Sequence, residues 1–195
     1  MAILNILTRT HREKYFEACK KSVLSQTKVE NINWIVGSDI ECNYYPEAIK
    51  LFKDYRQPLL IPQGHYFAPW NNYLDTLQEY VREDYLMFLD DDDCFTNEKS
   101  VQRILNAVEE DKLLVWKVQI TPQWIVPSTS FAHYIKPGDF SGIGMCFHSK
   151  HLPVTWGNLS YGDYRVATQL QQKGLKIKWL DMVLTRTQDH PNNGR

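Results

Sequence analysis

No run of the sequence approaches the roughly 18 consecutive apolar residues that a membrane-crossing helix needs, so no membrane span is expected. Basic excess is also missing: 22 lysines and arginines face 23 aspartates and glutamates, for a formal net charge of −1. Proteins that grip nucleic acid or anionic membranes through a broad basic face carry more Lys and Arg than this. That class is set aside, and any anionic ligand must be held locally. The four cysteines, Cys19, Cys42, Cys94 and Cys146, form no CxxC pair and no ligand-like spacing. They read as reduced thiols of a cytoplasmic protein. The amino-terminal stretch lacks a basic n-region and does not read as a signal peptide, so the sequon at Asn158 carries no weight.

What is present is ordinary globular composition: 195 residues, 43% hydrophobic and 23% charged, enough for one domain with a core that needs no staples. Residues 2–7 read as a buried strand, and Tyr15, Phe16, Cys19, Val23 and Leu24 follow at helical spacing. "INWIV" is a second strand ending at Gly37-Ser38-Asp39, Pro46 opens a short helix to about Tyr55, and "PLLIP" is a third strand. Tyr73, Leu74, Leu77, Tyr80 and Val81 share a helical face directly before a strand over 85–89. The alternation predicts an α/β fold, a mostly parallel central sheet with helices on both faces and a more irregular, mixed second half. In that half Thr96 caps a helix through Val101, Ile104, Leu105 and Val108, and "LLVWKVQI", "QWIV" and "GMCFH" are strands. A last helix runs from near Tyr161 to about Lys173, stops at Gly174, and is followed by "KIKWLDMVLT" as closing strand.

Ligands of open α/β sheets sit beyond the carboxyl ends of the strands. Thr8 to Arg12, Asp39 and Asp90 to Asp93 all fall at such ends. "YLMFLDDDDCF" closes an apolar run on four consecutive aspartates. Two carboxylates about 4 Å apart repel by about 1 kcal/mol in water and about 4 kcal/mol at an effective dielectric near 20. Solvent, a bound cation or protonation has to offset that. A strand end fixes carboxylates in space, and such hard oxygen donors suit Mg²⁺ or Mn²⁺ shared with a phosphate-bearing ligand; a solvated acidic turn is the plain alternative. "TRTHR" lies between strand and helix, where free backbone N–H groups with Arg9 and Arg12 favour an anion. Surface arginines capping a loop would look the same. The glycines of a P-loop or dinucleotide fingerprint are absent, so neither is assigned.

These stretches, with "SVLSQT" closing the first helix and "NWIVGSD" on the second strand, resemble the nucleotide-sugar half of family 2 glycosyltransferases with the GT-A fold. The resemblance covers most of residues 1–95 and returns in "WGNLSYGDYRVATQLQQKGLKIKWLD", which is similar to the family's acceptor-side segment. It implies one GT-A domain, 1–95 being the nucleotide-sugar half and 96–195 the acceptor-side half. In that family an Asp-x-Asp motif at a strand end holds a divalent metal against the donor diphosphate. Asp90, Asp91 and Asp92 match it, with Asp92 as metal ligand and Asp90 and Asp91 facing the ribose or assisting. Thr8 and Thr10 match positions that contact the nucleoside, Asp39 resembles the acid that reads the base, and Arg9 and Arg12 join the donor site. By position alone, Arg186 reaches the diphosphate and His190 is a further metal ligand; a polar frayed terminus is the plain alternative. Asp163 occupies the place of the catalytic base; its plain role is a helix-capping acid, and the two are compatible. Among Trp124, His133, Tyr134, Phe140 and Trp156 most are expected in the core, and Trp156 is retained as an acceptor platform.

The resemblance therefore implies a metal-dependent, inverting transfer of one sugar from a nucleotide-diphospho-sugar, UDP-sugar as first guess, to a glycan or other hydroxyl acceptor. Mn²⁺ or Mg²⁺ is the expected cofactor, and no nucleic acid is expected as partner. A longer multidomain polypeptide containing this segment is compatible with the same reading. Gly162 stands where the family often has Glu, Gly37-Ser38 replace a usual acidic pair, and "APWNN" stands where many members place a basic residue. The Gln-x-x-Arg-Trp motif of processive synthases is absent, which favours single transfer. Two rivals stay open: a haloacid-dehalogenase-type phosphatase, which needs Thr or Val where Cys94 stands, and a non-catalytic nucleotide-sugar or metal-binding module.

Overall fold

The structure, a computed structural model, describes residues 2–39, 48–51, 71–128, 135–138, 140–157 and 159–188. In chain order the strands and helices are β1 (Leu4–Thr10), α1 (Glu13–Leu24), β2 (Ile32–Asp39), β3 (Ile49–Leu51), α2 (Asn71–Leu77), β4 (Tyr85–Phe88), β5 (Asp93–Phe95), α3 (Ser100–Ala107), β6 (Lys112–Thr121), β7 (Trp124–Val126), β8 (Met145–His148), α4 (Gly162–Gln172) and β9 (Lys176–Thr187). One sheet runs through both halves of the chain in the order β3-β2-β1-β4-β8-β6-β9-β5, with β7 paired to β6. The strands from β3 to β4 are parallel. β8 reverses direction between β4 and β6, and β9 lies parallel to β6 but antiparallel to β5. The expected α/β architecture with a mixed second half is what forms.

Period-two alternation explains why helices cover both faces. Leu7 and Phe88 point into a core with Leu74, Leu77, Trp156, Val166 and Leu170, beneath α2 and α4. Their neighbours Ile6 and Met87 point the other way, to Cys19, Val23, Val101, Ile104 and Trp116, beneath α1 and α3. Cys19, Cys94 and Cys146 are buried free thiols; Cys42 lies outside the described residues.

Some boundaries differ from the sequence reading, each for a tertiary reason. Residues 49–51 are a strand rather than part of a helix, because they pair with Gly37, Ser38 and Asp39. That pairing carries β2 through to Asp39; "PLLIP" lies outside the described residues. Thr96 does not cap α3: its Oγ1 donates to the Val183 carbonyl at 2.9 Å. The free Val101 N–H at that helix start donates instead to Gln26 Oε1 at 3.0 Å, a partner no local pattern could reveal.

Candidate active site

β4 delivers the aspartates to the carboxyl end of the sheet, where Leu89 N–H still donates to the Leu7 carbonyl at 3.0 Å. Beyond that point the β1 and β4 extensions meet through charge. Arg9 forks onto Asp90, Nε to Oδ1 at 2.8 Å and Nη2 to Oδ2 at 2.7 Å. Asp91 is fully buried, and its Oδ2 accepts the backbone N–H groups of His11 and Arg12, each at 3.0 Å. Its Oδ1 accepts Arg12 Nε at 3.0 Å and also Arg12 Nη2. The same Nη2 reaches Asp92 Oδ1 at 2.7 Å. Burial works against both guanidinium charges, but the paired carboxylates outweigh it and raise the pKa of Arg9 and of Arg12.

Asp93 belongs to the tract read from the sequence but was given no role of its own there. It opens β5, opposite Thr187 of β9, and is buried with Oδ1 lacking any hydrogen-bond partner. Burial first, then repulsion from Asp92, Asp90 and Asp91, holds its pKa well above the usual carboxylate range. The available signal was the apolar Cys94-Phe95 that follows, marking a second buried strand rather than a loop. Oxygens of Asp90, Asp92 and Asp93 lie within 4.8 Å of one another. An all-oxygen donor set with one orphaned buried carboxylate atom fits a hard divalent ion such as Mg²⁺ or Mn²⁺. Gln188 was missed by the sequence reading: its N–H donates to the Asp92 carbonyl at 2.7 Å, and its Nε2 to the carbonyls of Asp91 at 3.3 Å and Tyr15 at 2.9 Å. It ties the tract to β9 and α1.

The remaining donor-side candidates separate. Thr8 is fully buried, with its hydroxyl accepting Trp34 Nε1 at 2.9 Å, and Thr10 is buried at the strand end. Arg186 lies on β9 opposite Cys94, one pair from Asp93, with an exposed side chain. Asp39 is the last residue of β2, though its side chain is outside what is described, as is His190 altogether.

Asp163 reaches the same rim by a different route. β8 runs antiparallel to β4 with Met87 opposite Cys146, so the turn Gly142–Gly144 lies just past the end of β4. The Gly142 N–H donates to the Asp163 carboxylate, and so does that of Tyr164, at 2.7 Å. Asp163 thus closes the first turn of α4, whose leading residue Tyr161 has no side-chain cap and sits at φ 61°. Burial pushes the Asp163 carboxyl up to about 6, the two N–H donors opposing it. Among the described residues no cation hydrogen-bonds this carboxylate: Arg165 donates instead to the carbonyls of Trp156, Leu159 and Ser160. Trp156 is 7% exposed and meets Phe88 edge to face at 4.7 Å. It is a wedge beneath the α4 start rather than an open platform. A Cβ on Gly142 would lie 2.6 Å from its Cη2, and one on Gly162 2.6 Å from its Cε3, which accounts for glycine where an acidic residue was the expected neighbour. Phe140 is buried as expected, Trp124 is 42% exposed on β7, and His133 and Tyr134 lie outside the described residues.

No family model and no curated protein matches the chain. Solved structures do. TarS of S. aureus, residues 1–349, superposes with a TM-score of 0.67 at 15% identity, over 95% of this chain and 60% of that one. The chain has the GT-A fold. The same TarS fragment in complex with UDP-GlcNAc matches with a TM-score of 0.64 at 14% identity, over 97% of this chain and 59% of that one. The mannosyltransferase PcManGT of Pyrobaculum calidifontis, in complex with GDP-Man and Mn²⁺, gives 0.64 at 11% identity over 98% and 58%. This GT-A chain therefore spans about 60% of the length of the first of these neighbours.

Proposed function

We propose that this chain is a metal-dependent, inverting glycosyltransferase that moves one sugar from a nucleotide-diphospho-sugar to an acceptor hydroxyl. The observation that carries the reading is that a clustered acidic tract after β4 and a carboxylate held at the Gly142 turn before β8 lie at the same end of the sheet with opposite surroundings. Residues 1–95 take the donor and 96–195 the acceptor. Asp92, Asp93 and Asp90 would hold a divalent ion, with His190 as a further proposed ligand; when bound, that ion supplies positive charge to the diphosphate of the leaving group. Arg9, Arg12 and Arg186 add positive charge toward the same oxygens, and Thr8, Thr10, Asp39, Asp90 and Asp91 shape the nucleoside side.

Asp163 is the base. A carboxylate whose proton affinity lies near pH 6 is ionised at neutral pH yet basic enough to accept the hydroxyl proton as the acceptor attacks the anomeric carbon. Attack from the face opposite the diphosphate inverts that carbon in one displacement. Alignment of two substrates between these walls is the chain's main contribution. UDP-sugars are the first donors to try, because one structural neighbour is in complex with UDP-GlcNAc, and GDP-mannose, bound by another, is the next. Single rather than processive transfer and a cytoplasmic site of action belong to the same proposal. Calorimetric titration of UDP- and GDP-sugars with and without Mn²⁺ tests it. A heat of binding that needs the metal is expected; no heat with any nucleotide-sugar, together with phosphate release from simple monoesters, would transfer the chain to the phosphatase class.

A further inference from the structure

Arg9 and Arg12 both engage the tract, but on different terms. Arg9 has 15% of its side chain exposed and occupies both oxygens of one carboxylate in a fork. Arg12 has 27% exposed and divides its guanidinium between Asp91 and Asp92. Arg12 Nη2 touches both carboxylates, and if it swings away Asp91 loses that contact but keeps three donors, the His11 N–H, the Arg12 N–H and Arg12 Nε, each at 3.0 Å. Nε is therefore a pivot, and only the Nη2 contact to Asp92 at 2.7 Å ties Arg12 to a carboxylate of the Asp90, Asp92 and Asp93 cluster. The guanidinium also lies 5.6 Å from the Tyr15 ring, a face it can lean on when it swings outward.

A divalent ion and a guanidinium on one carboxylate repel each other, while the orphaned, buried Asp93 Oδ1 gives the ion a donor that no arginine holds. We propose that Arg12 is an electrostatic latch: without donor it occupies Asp92, and it passes to the donor diphosphate when a divalent ion takes that carboxylate. The proposal rests on reading Asp90, Asp92 and Asp93 as the metal site. Metal and nucleoside diphosphate then favour each other's binding, and by linkage the effect is reciprocal. The ion alone binds weakly, because it has to displace a cation that has nowhere better to go. The donor removes that obstacle by offering Arg12 a second anion.

The test uses Mn²⁺ alone as probe, its free concentration read by electron paramagnetic resonance, on the full chain and two variants. Arg12→Gln removes the latch. The double variant Arg12→Gln/Asp91→Asn removes it while leaving the net charge of the tract unchanged, and its paired amides can still serve the buried N–H groups that Asp91 serves. That variant keeps the test usable if the single one fails to fold. Both should bind Mn²⁺ at least about fivefold tighter than wild type, because no guanidinium has to vacate Asp92; Arg12→Gln should gain more, since the double variant offsets the lost positive charge by losing the Asp91 carboxylate. UDP should then tighten Mn²⁺ binding by a smaller factor than in wild type. Wild type that binds Mn²⁺ while the double variant binds it no tighter overturns the latch alone. If none of the three binds Mn²⁺ with or without UDP, the metal reading itself is wrong and the latch goes with it.

Discussion

The two acidic regions of the rim have been given opposite environments. On the β1–β4 side, Asp90, Asp91 and Asp92 are met by Arg9, Arg12 and backbone N–H groups, so their charge is held in place by partners. On the α4 side Asp163 is met by backbone N–H groups, those of Gly142, Tyr164 and its own residue, with Arg165 acting through its charge alone, and burial lifts its proton affinity to about 6. Carboxylates divided in this way suit different tasks: the set held by arginines and N–H groups is placed to bind cations, and the buried one is basic enough to take a proton. Sequence identity alone, aspartate in each case, says nothing of the division.

The largest effect should come from abolishing the α4 side. Asp163→Asn keeps the acceptor oxygen for the Tyr164 and Gly142 N–H groups but removes the base, and transfer should fall by about 10²–10⁴-fold with donor affinity intact. Turnover at the wild-type rate would put the base elsewhere. The same group predicts a rate that climbs with pH through about 6 as the carboxylate ionises; a kcat/KM profile flat between pH 5 and 8 would contradict it. Stability should move the other way. Because the folded chain holds this proton to about pH 6 and the unfolded chain releases it near 3.9, stability is full below the lower value and lost as pH rises through the higher one. A gap of about two units corresponds to roughly 3 kcal/mol, so Asp163→Asn should be more stable than wild type at pH 8 by up to that amount and equal to it at pH 3.5. Thermal melts at the two pH values measure this.

Breaking the other side should cost binding rather than chemistry. Asp92→Ala removes one member of the cluster and lets Arg12 settle wholly on Asp91. Mn²⁺-dependent donor binding should disappear while the fold and the Asp163 titration persist. An unchanged calorimetric signal for UDP with Mn²⁺ would mean that Asp92 holds no metal.

How much of this could be read in advance followed the range of the interactions. The helical spacing of Tyr15 to Leu24 and of Tyr73 to Val81 between short apolar strands is local, and that alternation of strand and helix was enough for a two-faced α/β sheet. The aspartate tract stood out because four like charges on a strand end need an offset. Its internal division did not: Asp93 turns inward only because β5 pairs with β9, and Gln188 acts on carbonyls nearly a hundred residues away in the chain. The strand at 49–51 likewise needs β2 beside it. Trp156 looked like a sugar platform as an aromatic residue near Asp163 in the chain, and only the packing of Phe88, Gly142 and Gly162 around it shows a buried wedge.

That wedge gives the finest test of the difference between the two sides. The Trp156 ring is gripped between two glycines, and its backbone N–H donates to Asp75 Oδ1 at 2.7 Å, so it has little room to retreat. A methyl group at Gly162 would also come within 2.8 Å of Asn71 Nδ2, which donates to the Leu159 carbonyl just before α4. Gly162→Ala should therefore cost about 1–3 kcal/mol, the usual range for overpacking a filled site. The cost falls on the residue next to Asp163, so α4 has to shift at the turn that carries the base. Transfer should weaken along with the melting temperature, while Mn²⁺ affinity, set by β4 and β5, stays at its wild-type value. Equal losses on both sides would mean that tract and base share one packing unit; a melting temperature unchanged from wild type would mean that Trp156 yields freely and does not fix the position of Asp163.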